Sequence, residues 1–520
     1  MKKKLALGSQ EFSEVIGNNC IYVDKTENIY KLITSGKYYF LSRPRRFGKS
    51  LLANTIKEIY LGSKNFFKGL WIYDKWDWES TYPVIKLSFS KMDYAKLGLE
   101  EAINKELYKI AKSYNIILEE KTNSLKFEEL IIKLSVKGQV AIIIDEYDKP
   151  IIDYIHECVN AKEVGNCQAD INRKILKNFY SVLKDLDSHI KFFFVTGVSK
   201  FSRVSIFSDL NNLIDITIDK NYSQIVGWTI NEVEKYFSDY IKEVAEVYKD
   251  IYSDIMPEMK KMYDGYSWDG KNFVYNPVSL MNLFGKREFG NYWFETGTPT
   301  FLMELIKKQG KTAFDIENSY TSTSILDKYD FTNINLNSLL FQTGYLTIKN
   351  KNLRTRRLTL DYPNKEVDES FSKHIIDTQT SNNIDLTQTL LYKIIDSFSD
   401  QKINSFIKNV NIIFKNISYN IIEEKESYYH SLFFLIMKMV GFEIDVEIET
   451  IDGRIDAVVK TETNIYIIEF KINQSAEKAI QQIRDKKYAL KYANDKRPII
   501  LIGINFDTEK KLIEDWILKR

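Results

Sequence analysis

The sequence predicts an α/β protein: a mostly parallel sheet with helices on both faces, then a mostly helical region, then a smaller α/β unit. Three observations carry that expectation. Through residues 1–225, apolar runs alternate with helical patterns, and strands separated by helices imply parallel pairing. From about Thr229 the pattern turns to amphipathic helices and aromatic-rich loops such as YDGYSWDGKNFVYNP. Beyond Glu426 the order becomes helix, three alternating strands, helix, strand.

Each element has a local reason. Lys37–Ser42 (KYYFLS) reads as a short strand. Leu51–Leu61 reads as a helix, because Leu51, Leu52, Thr55, Ile56, Ile59 and Tyr60 fall near helical spacing. Pro83–Phe89 is a strand, and Val140–Ile144 is a continuous apolar run of the kind buried on both faces. Asn172–Asp187 is helical, and Lys191–Thr196 (KFFFVT) is a further buried strand. Asn231–Tyr248 and Thr300–Lys308 carry amphipathic spacing, and Ser338–Ile348 passes from helix to strand. This middle region is expected to be a small helical lid, with a winged-helix arrangement as one reading. Residues 350–395 are polar and give no clear period. Helices near Leu391–Lys415 and Glu426–Val440 precede strands at Val446–Ile451, Arg454–Val459 and Asn464–Ile472. A helix at Ala476–Ala493 and a strand at Pro498–Ile504 follow. The expected division is 1–225, 226–350, a connector 351–395, and 396–520.

Composition narrows the function classes. With 520 residues, 44% hydrophobic and 28% charged, the chain is neither disordered nor collagen-like. Its 73 basic and 71 acidic side chains leave a formal charge of +2, so any field for nucleic acid must come from local patches. Three cysteines, Cys20, Cys158 and Cys167, supply neither a disulfide framework nor a zinc set, which fits a reducing cytosol. No stretch reaches the ~18 apolar residues of a membrane span. The basic start MKKKLALGSQEF has an apolar core of only Leu5-Ala6-Leu7, too short for a secretion signal. A cytoplasmic protein without membrane contact is expected.

Arg43–Ser50 reads RPRRFGKS, against a phosphate-loop pattern of G-x-x-x-x-G-K-[ST]. Gly48, Lys49 and Ser50 fit; the first glycine is Arg43. The chemistry asks for amides around phosphates, a lysine on the β/γ-phosphates and a hydroxyl on Mg²⁺. The helix that follows adds a positive dipole end. A bare GK[ST] arises by chance ~0.2 times in a chain this long, and a second stands at Gly310-Lys311-Thr312. That one follows a helical run, so only Gly48-Lys49-Ser50 has the strand-to-helix context. The run VAIIIDEYD adds Asp145 and Glu146 at a strand end, where the first can hold Mg²⁺ through water and the second polarise an attacking water. Thr196 or Ser199, after the third buried strand, would sense the γ-phosphate or merely end the strand.

These segments resemble the AAA-ATPase-like family of bacterial proteins with a PD-(D/E)XK nuclease-like tail. The resemblance rests on YVDKT (Tyr22–Thr26), SRPRRFGKSLL (Ser42–Leu52), IIIDEYDKP (Ile142–Pro150), TGVSKFS (Thr196–Ser202) and IFSDLNNLIDIT (Ile206–Thr217). It continues through YDGY (Tyr263–Tyr266), YNPVSL (Tyr275–Leu280) and TGYLTI (Thr343–Ile348). It implies a P-loop NTPase sheet that binds ATP and Mg²⁺, followed by a lid, with Arg43 as the family's own variant. The ligand-facing residues would be Arg46, Phe47, Gly48, Lys49, Ser50, Leu51, Asp145 and Thr196, with Glu146 catalytic. The arginine finger is open among Arg45, Arg46 and Arg203.

The C-terminal strands hold Asp456 in GRIDAVV, and Glu469 and Lys471 in YIIEFKI. Residues two apart in a strand share a face, and a turn near Glu462–Asn464 brings Asp456 beside them. Two carboxylates can bind Mg²⁺, and the lysine can stabilise charge in phosphodiester hydrolysis. Four other E-x-K triplets, beginning at Glu119, Glu258, Glu423 and Glu509, lack that strand context. The bland alternative is an exposed cross-strand ion pair worth ~0.2–1 kcal/mol. Glu426, four before His430 on one helix face, is a further candidate ligand. Gln482 would orient a carboxylate or phosphate, though spacing does not choose it over Gln481. Arg484, Lys486, Lys487 and Lys491 would give their helix a basic surface.

The expected function is an ATP-binding, ATP-hydrolysing protein coupled to a metal-dependent nuclease-like unit acting on DNA or RNA. The alternative is a nucleotide-gated switch whose tail only binds nucleic acid or a partner. A homo-oligomer is the expected assembly if an arginine finger acts between copies.

Overall fold

The computed structural model describes residues 2–136, 138–160, 167–200, 206–207, 210–293, 302, 305–306, 319–326, 335–379, 384–399, 402–415, 426–440, 443–450, 453–461 and 463–520. The chain forms two compact units. One is Met1–Phe301 with Asn318–Val367; the other is Leu302–Glu317 with Asp368–Arg520.

The first unit is built on a five-stranded sheet. Its strands are β1 (Tyr38–Ser42), β2 (Val84–Ser88), β3 (Val140–Asp145), β4 (Ile190–Gly197) and β5 (Ile214–Asp215). They lie in the order β2-β3-β4-β1-β5 and every pair is parallel. β1 and β3 are buried along their whole length, as their unbroken apolar runs require. On one face Phe193 and Val195 pack with Phe127, Leu130, Leu176 and Phe179 from the flanking helices. On the other, Phe192 meets Tyr60 of the helix Lys49–Tyr60 at 5.5 Å. The expected helix Asn172–Asp187 runs Gln168–Tyr180 and then tightens into 3₁₀ turns. Cys158 and Cys167 are joined by a disulfide, nine residues apart; the cysteine count alone did not predict that bridge.

The same unit carries the helices Ile230–Val247, Met256–Tyr263, Pro277–Lys286 and Leu336–Thr343. The first starts at a capping box in which Thr229 and Glu232 satisfy each other's backbone donors. A small antiparallel sheet lies beside them: β6 (Ser319–Ser322), β7 (Thr347–Lys351) and β8 (Arg357–Asp361), in the order β6-β8-β7. β8 falls in the polar stretch that showed no period. Gly310-Lys311-Thr312 lies outside the described residues.

In the second unit, helices Ile384–Ser399, Ile403–Lys415 and Glu426–Met439 precede a five-stranded sheet. Its strands are β9 (Glu443–Thr450), β10 (Gly453–Lys460), β11 (Ile465–Ile472), β12 (Ile499–Asp507) and β13 (Leu512–Lys519). The order is β13-β12-β11-β10-β9, with only β11 and β12 parallel. β13 was not expected. The helix expected to run to Ala493 ends at Asp485. Lys487 turns left-handed at φ 49°, and Tyr488 goes into the core. Lys486, Lys487 and Lys491 therefore do not continue the face of one helix. Among the described residues, no helix is long and apolar enough to cross a membrane.

Candidate functional site

β1 delivers the loop Arg43–Gly48 to the N-terminus of the helix Lys49–Tyr60. Gly48 caps that helix at φ 91°, a conformation that favours glycine. Arg46 is also left-handed, at φ 71°. Such strain costs about 1–3 kcal/mol, and the Arg46 Nη1 donates to the Tyr292 carbonyl at 2.7 Å. Arg43 is fully buried and points away from the loop's open side. Its guanidinium donates to Thr217 O at 2.5 Å and Tyr222 O at 3.2 Å, and lies 4.0 Å over the Trp268 ring. It props the loop where the usual pattern has a glycine.

Lys49 is 5% exposed, and its Nζ donates to Arg43 O and Pro44 O at 2.8 Å each. Burial pushes its ammonium down to about 8, against the opposing charges of Glu146, Asp145 and Asp148. Phe47 sits edge-on to Tyr266 and Trp268, with centroids 4.7 and 5.4 Å away. Trp293 Nε1 donates to Arg45 O at 3.4 Å. A Cβ on Gly344 would come 2.7 Å from Pro44 Cβ, so the chain there approaches the loop as only glycine allows.

The acids sit one strand away from the loop strand, with β4 between. Asp145 ends β3, is 2% exposed and accepts Thr196 Oγ1 at 2.7 Å. Glu146 turns left-handed at φ 54°. Tyr147 N donates to Thr196 O at 3.0 Å, and the buried Asp148 accepts Ser199 N at 2.6 Å and Ser199 Oγ at 2.8 Å. Burial raises the Asp148 carboxyl above its ordinary range, and the Ser199 and Val198 donors partly offset it. Both hydroxyls considered as phosphate sensors thus hold carboxylates here.

Arg46, Phe47, Gly48, Lys49, Ser50, Leu51 and Glu146 line one cleft of about 350 Å³. Asp145 and Thr196 are not in its lining. Ile21, Val23, Trp228 and Met281 add apolar wall, and Lys25 adds a second buried cation. Lys25 Nζ is bound at 2.7 Å to both oxygens of Glu232, the capping residue. The loop amides, Lys49 and Ser50 suit the phosphates of ATP and the Ser50 hydroxyl suits Mg²⁺, while Asp145, held by Thr196, lies outside the cleft's lining.

In the second unit the antiparallel register Ala457↔Ile468 puts Asp456 opposite Glu469, one step further on. Their side chains share a face with Ile465 and Ile467, which pack on Ile480 and Ile483 of the helix Ala476–Asp485. The Asp456 carboxylate accepts the Phe470 N–H at 2.8 Å, where the ladder stops. Glu469 is 1% exposed. Its Oε1 accepts Lys471 Nζ at 3.1 Å, and its Oε2 is buried with no hydrogen-bond partner among the described residues. Burial pushes the Glu469 carboxyl up to about 8, Asp456 pushes it the same way, and Lys471 opposes. An orphaned carboxylate oxygen facing a second carboxylate fits a divalent cation such as Mg²⁺. Among the described residues, no group of three or more His, Cys, Asp or Glu gathers. Glu426 opens its helix, but its side chain and that of His430 lie outside the described residues, as does Arg203. Gln481 is exposed and donates to Asp485 at 2.7 Å, while Gln482 is half-buried.

Residues 6–207 match the family described as Predicted AAA-ATPase, and residues 424–516 match the PD-(D/E)XK nuclease superfamily. A protein of Azotobacter chroococcum mcd 1, titled "Uncharacterized protein in vnfD 5'region", is 35% identical over 544 aligned positions, spanning 100% of this chain and 99% of that one. This chain belongs to the AAA-ATPase-like family, with a PD-(D/E)XK nuclease superfamily region. No solved structure matches it. In this AAA-ATPase-like chain the sequence reading missed Asp148, the Lys25–Glu232 pair and the aromatic grip on the loop. The signal was present: Tyr266, Gly344 and Lys25 lie in YDGY, TGYLTI and YVDKT, segments that carry the family resemblance.

Proposed function

We propose that the first unit binds and hydrolyses ATP with Mg²⁺ and that the second is a Mg²⁺-dependent phosphodiesterase acting on DNA or RNA. One observation supports this most: two sites of complementary chemistry stand in one chain. The first offers Lys49 and loop amides to an anion in a cleft of about 350 Å³. The second offers Asp456 and the orphaned Glu469 oxygen to a cation. Lys49 and the helix dipole would take the β/γ-phosphates, and Ser50 and Asp145 would hold Mg²⁺. Glu146, in the same cleft, would orient the attacking water. Residues 226–350 would serve as the lid. Asp456 and Glu469 would hold the second Mg²⁺, which when bound supplies a water of lowered pKa and neutralises phosphodiester charge. Lys471 would stabilise the charge that develops there. Gln482 would orient the phosphate, and Glu426 would add a ligand.

The test is cleavage of single- and double-stranded DNA and RNA with Mg²⁺ or Mn²⁺, with and without ATP. Glu469→Ala and Lys471→Ala should each abolish metal-dependent cleavage, and cleavage surviving both excludes the assignment. A second reading has its own support, since among the described residues only two carboxylates gather and Glu469 is pushed toward its neutral form. The tail would then bind nucleic acid or a partner without cutting it. Unchanged DNA binding with no cleavage in any metal selects that reading.

A further inference from the structure

The phosphate loop is held from behind by a buried carboxylate that the mechanism above does not use. Glu366 is fully buried. Its Oε1 accepts the Trp293 N–H at 2.7 Å, and its Oε2 accepts Ser279 Oγ at 2.8 Å. The Tyr292 N–H bonds to it as well. Two successive amides are thus fixed by one side chain. The residues that own those amides reach the loop. The Tyr292 carbonyl takes the Arg46 guanidinium at 2.7 Å, and the Trp293 indole donates to Arg45 O at 3.4 Å.

The loop needs such an anchor. Arg46 is left-handed without being glycine, and its neighbours Phe47 and Pro44 are gripped by Tyr266, Trp268 and Gly344. The position of Glu366 in the chain adds a second consequence. It stands next to Val367, where the first unit hands over to Asp368, and Trp293 lies shortly before Phe301, the earlier crossing. The passage into the second unit at Val367 therefore leaves from the residue that follows this carboxylate, which is itself tied to the loop.

We propose that Glu366 is a positioning residue of the nucleotide site, holding Tyr292 and Trp293 so that Arg45 and Arg46 keep the loop in its anion-binding shape and so that loop occupancy reaches the segment around Val367. This rests on the nucleotide reading. A carboxylate that took its proton would still accept from both amides, and burial does push Glu366 up to about 7. The glutamine variant should therefore keep most of the geometry. Aspartate, one methylene shorter, should not reach both Trp293 and Ser279.

The test uses the full chain with ATP and Mg²⁺, read by calorimetry and by hydrogen exchange at residues 288–293 and 362–370. In the wild type, ATP should slow exchange in both segments. Glu366→Ala and Glu366→Asp should weaken ATP binding by about tenfold, with Glu366→Gln recovering most of it. At saturating ATP, the alanine and aspartate chains should bind yet lose the slowing at 362–370. If alanine fails to fold, the aspartate and glutamine pair carries the comparison. Wild-type affinity and wild-type slowing in the aspartate chain overturn the positioning role alone. A folded wild type that binds no ATP overturns the nucleotide reading, and the positioning role with it.

Discussion

At the front of the chain a buried lysine is held by two carbonyl oxygens; at the back a buried glutamate is held by a lysine on one oxygen and, among the described residues, by no hydrogen bond on the other. Burial drives both toward their neutral forms, Lys49 down to about 8 and Glu469 up to about 8. What answers the burial differs. Lys49 is backed by Glu146, Asp145 and Asp148, so its charge is supported before any ligand arrives. Glu469 faces Asp456, a like charge that makes its ionisation harder. On the proposed reading the front site would be a seat already shaped for an anion. The back site stays under electrostatic tension that a cation would relieve.

The largest break in that comparison comes from Lys49→Ala. Losing a buried charge on the phosphates should weaken ATP binding by about 10²-fold, about 3 kcal/mol. Calorimetry with ATP and Mg²⁺ measures it, and unaltered affinity sinks the anion seat. Stabilisation by Mn²⁺ at the back should persist in the same variant.

Gly197→Ala attacks the acid turn instead. An added Cβ would stand 2.6 Å from the Tyr147 ring and 2.7 Å from Asp148 Oδ1. Overpacking of this kind costs about 1–3 kcal/mol. Urea denaturation should register that loss, and ATP turnover should drop with it because Asp145 and Glu146 share the turn. A variant as stable and as active as the parent contradicts the packing account.

How far each site was legible follows from distance along the chain. Asp456, Glu469 and Lys471 come from adjacent strands joined by a short turn, so alternation and register alone put them on one face. The parallel pairing of the first sheet was likewise foreshadowed by unbroken apolar runs at β3 and β4, though not the order of its strands. The loop's support was not legible, because Trp268, Tyr292, Trp293 and Gly344 lie more than two hundred residues from it in sequence. Nothing in local spacing says that Arg43 turns under the loop onto Trp268. β13 hid for a related reason: its alternation, LIEDWILK, is interrupted by adjacent acids. The early end of the helix at Asp485 is set by Tyr488 entering the core, a tertiary choice that helical propensity did not announce.

The pH dependence sharpens the front half of the comparison. Without ligand, Lys49 loses its proton as pH rises through about 8. Bound phosphate favours the charged form, so the complex keeps the proton to higher pH. Affinity for ATP should therefore be level below about 8 and fall by about tenfold over the unit above it. Binding there should also take up a proton, seen as a buffer-dependent heat. Affinity that stays level to pH 9.5 would place Lys49 outside the phosphate site.

The smallest effect tests the back half. Glu469 keeps its proton in the fold up to about 8, whereas an unfolded glutamate loses it near its ordinary value of 4.5. Between those values the folded state binds more protons than the unfolded one, so stability declines as pH rises through the window. Asp456 is one source of that decline, and it remains in a Glu469→Gln chain. The amide, however, has no charge to desolvate. Glu469→Gln should raise stability by about 0.5–2 kcal/mol at pH 8 and hardly at all near pH 4.5. Melting curves from pH 5 to 9 measure this, and Mn²⁺ should stabilise the parent but not the variant. A glutamine chain less stable than the parent at pH 8, or equally stabilised by Mn²⁺, means that the Glu469–Lys471 pair is a structural ion pair and the back site holds no cation.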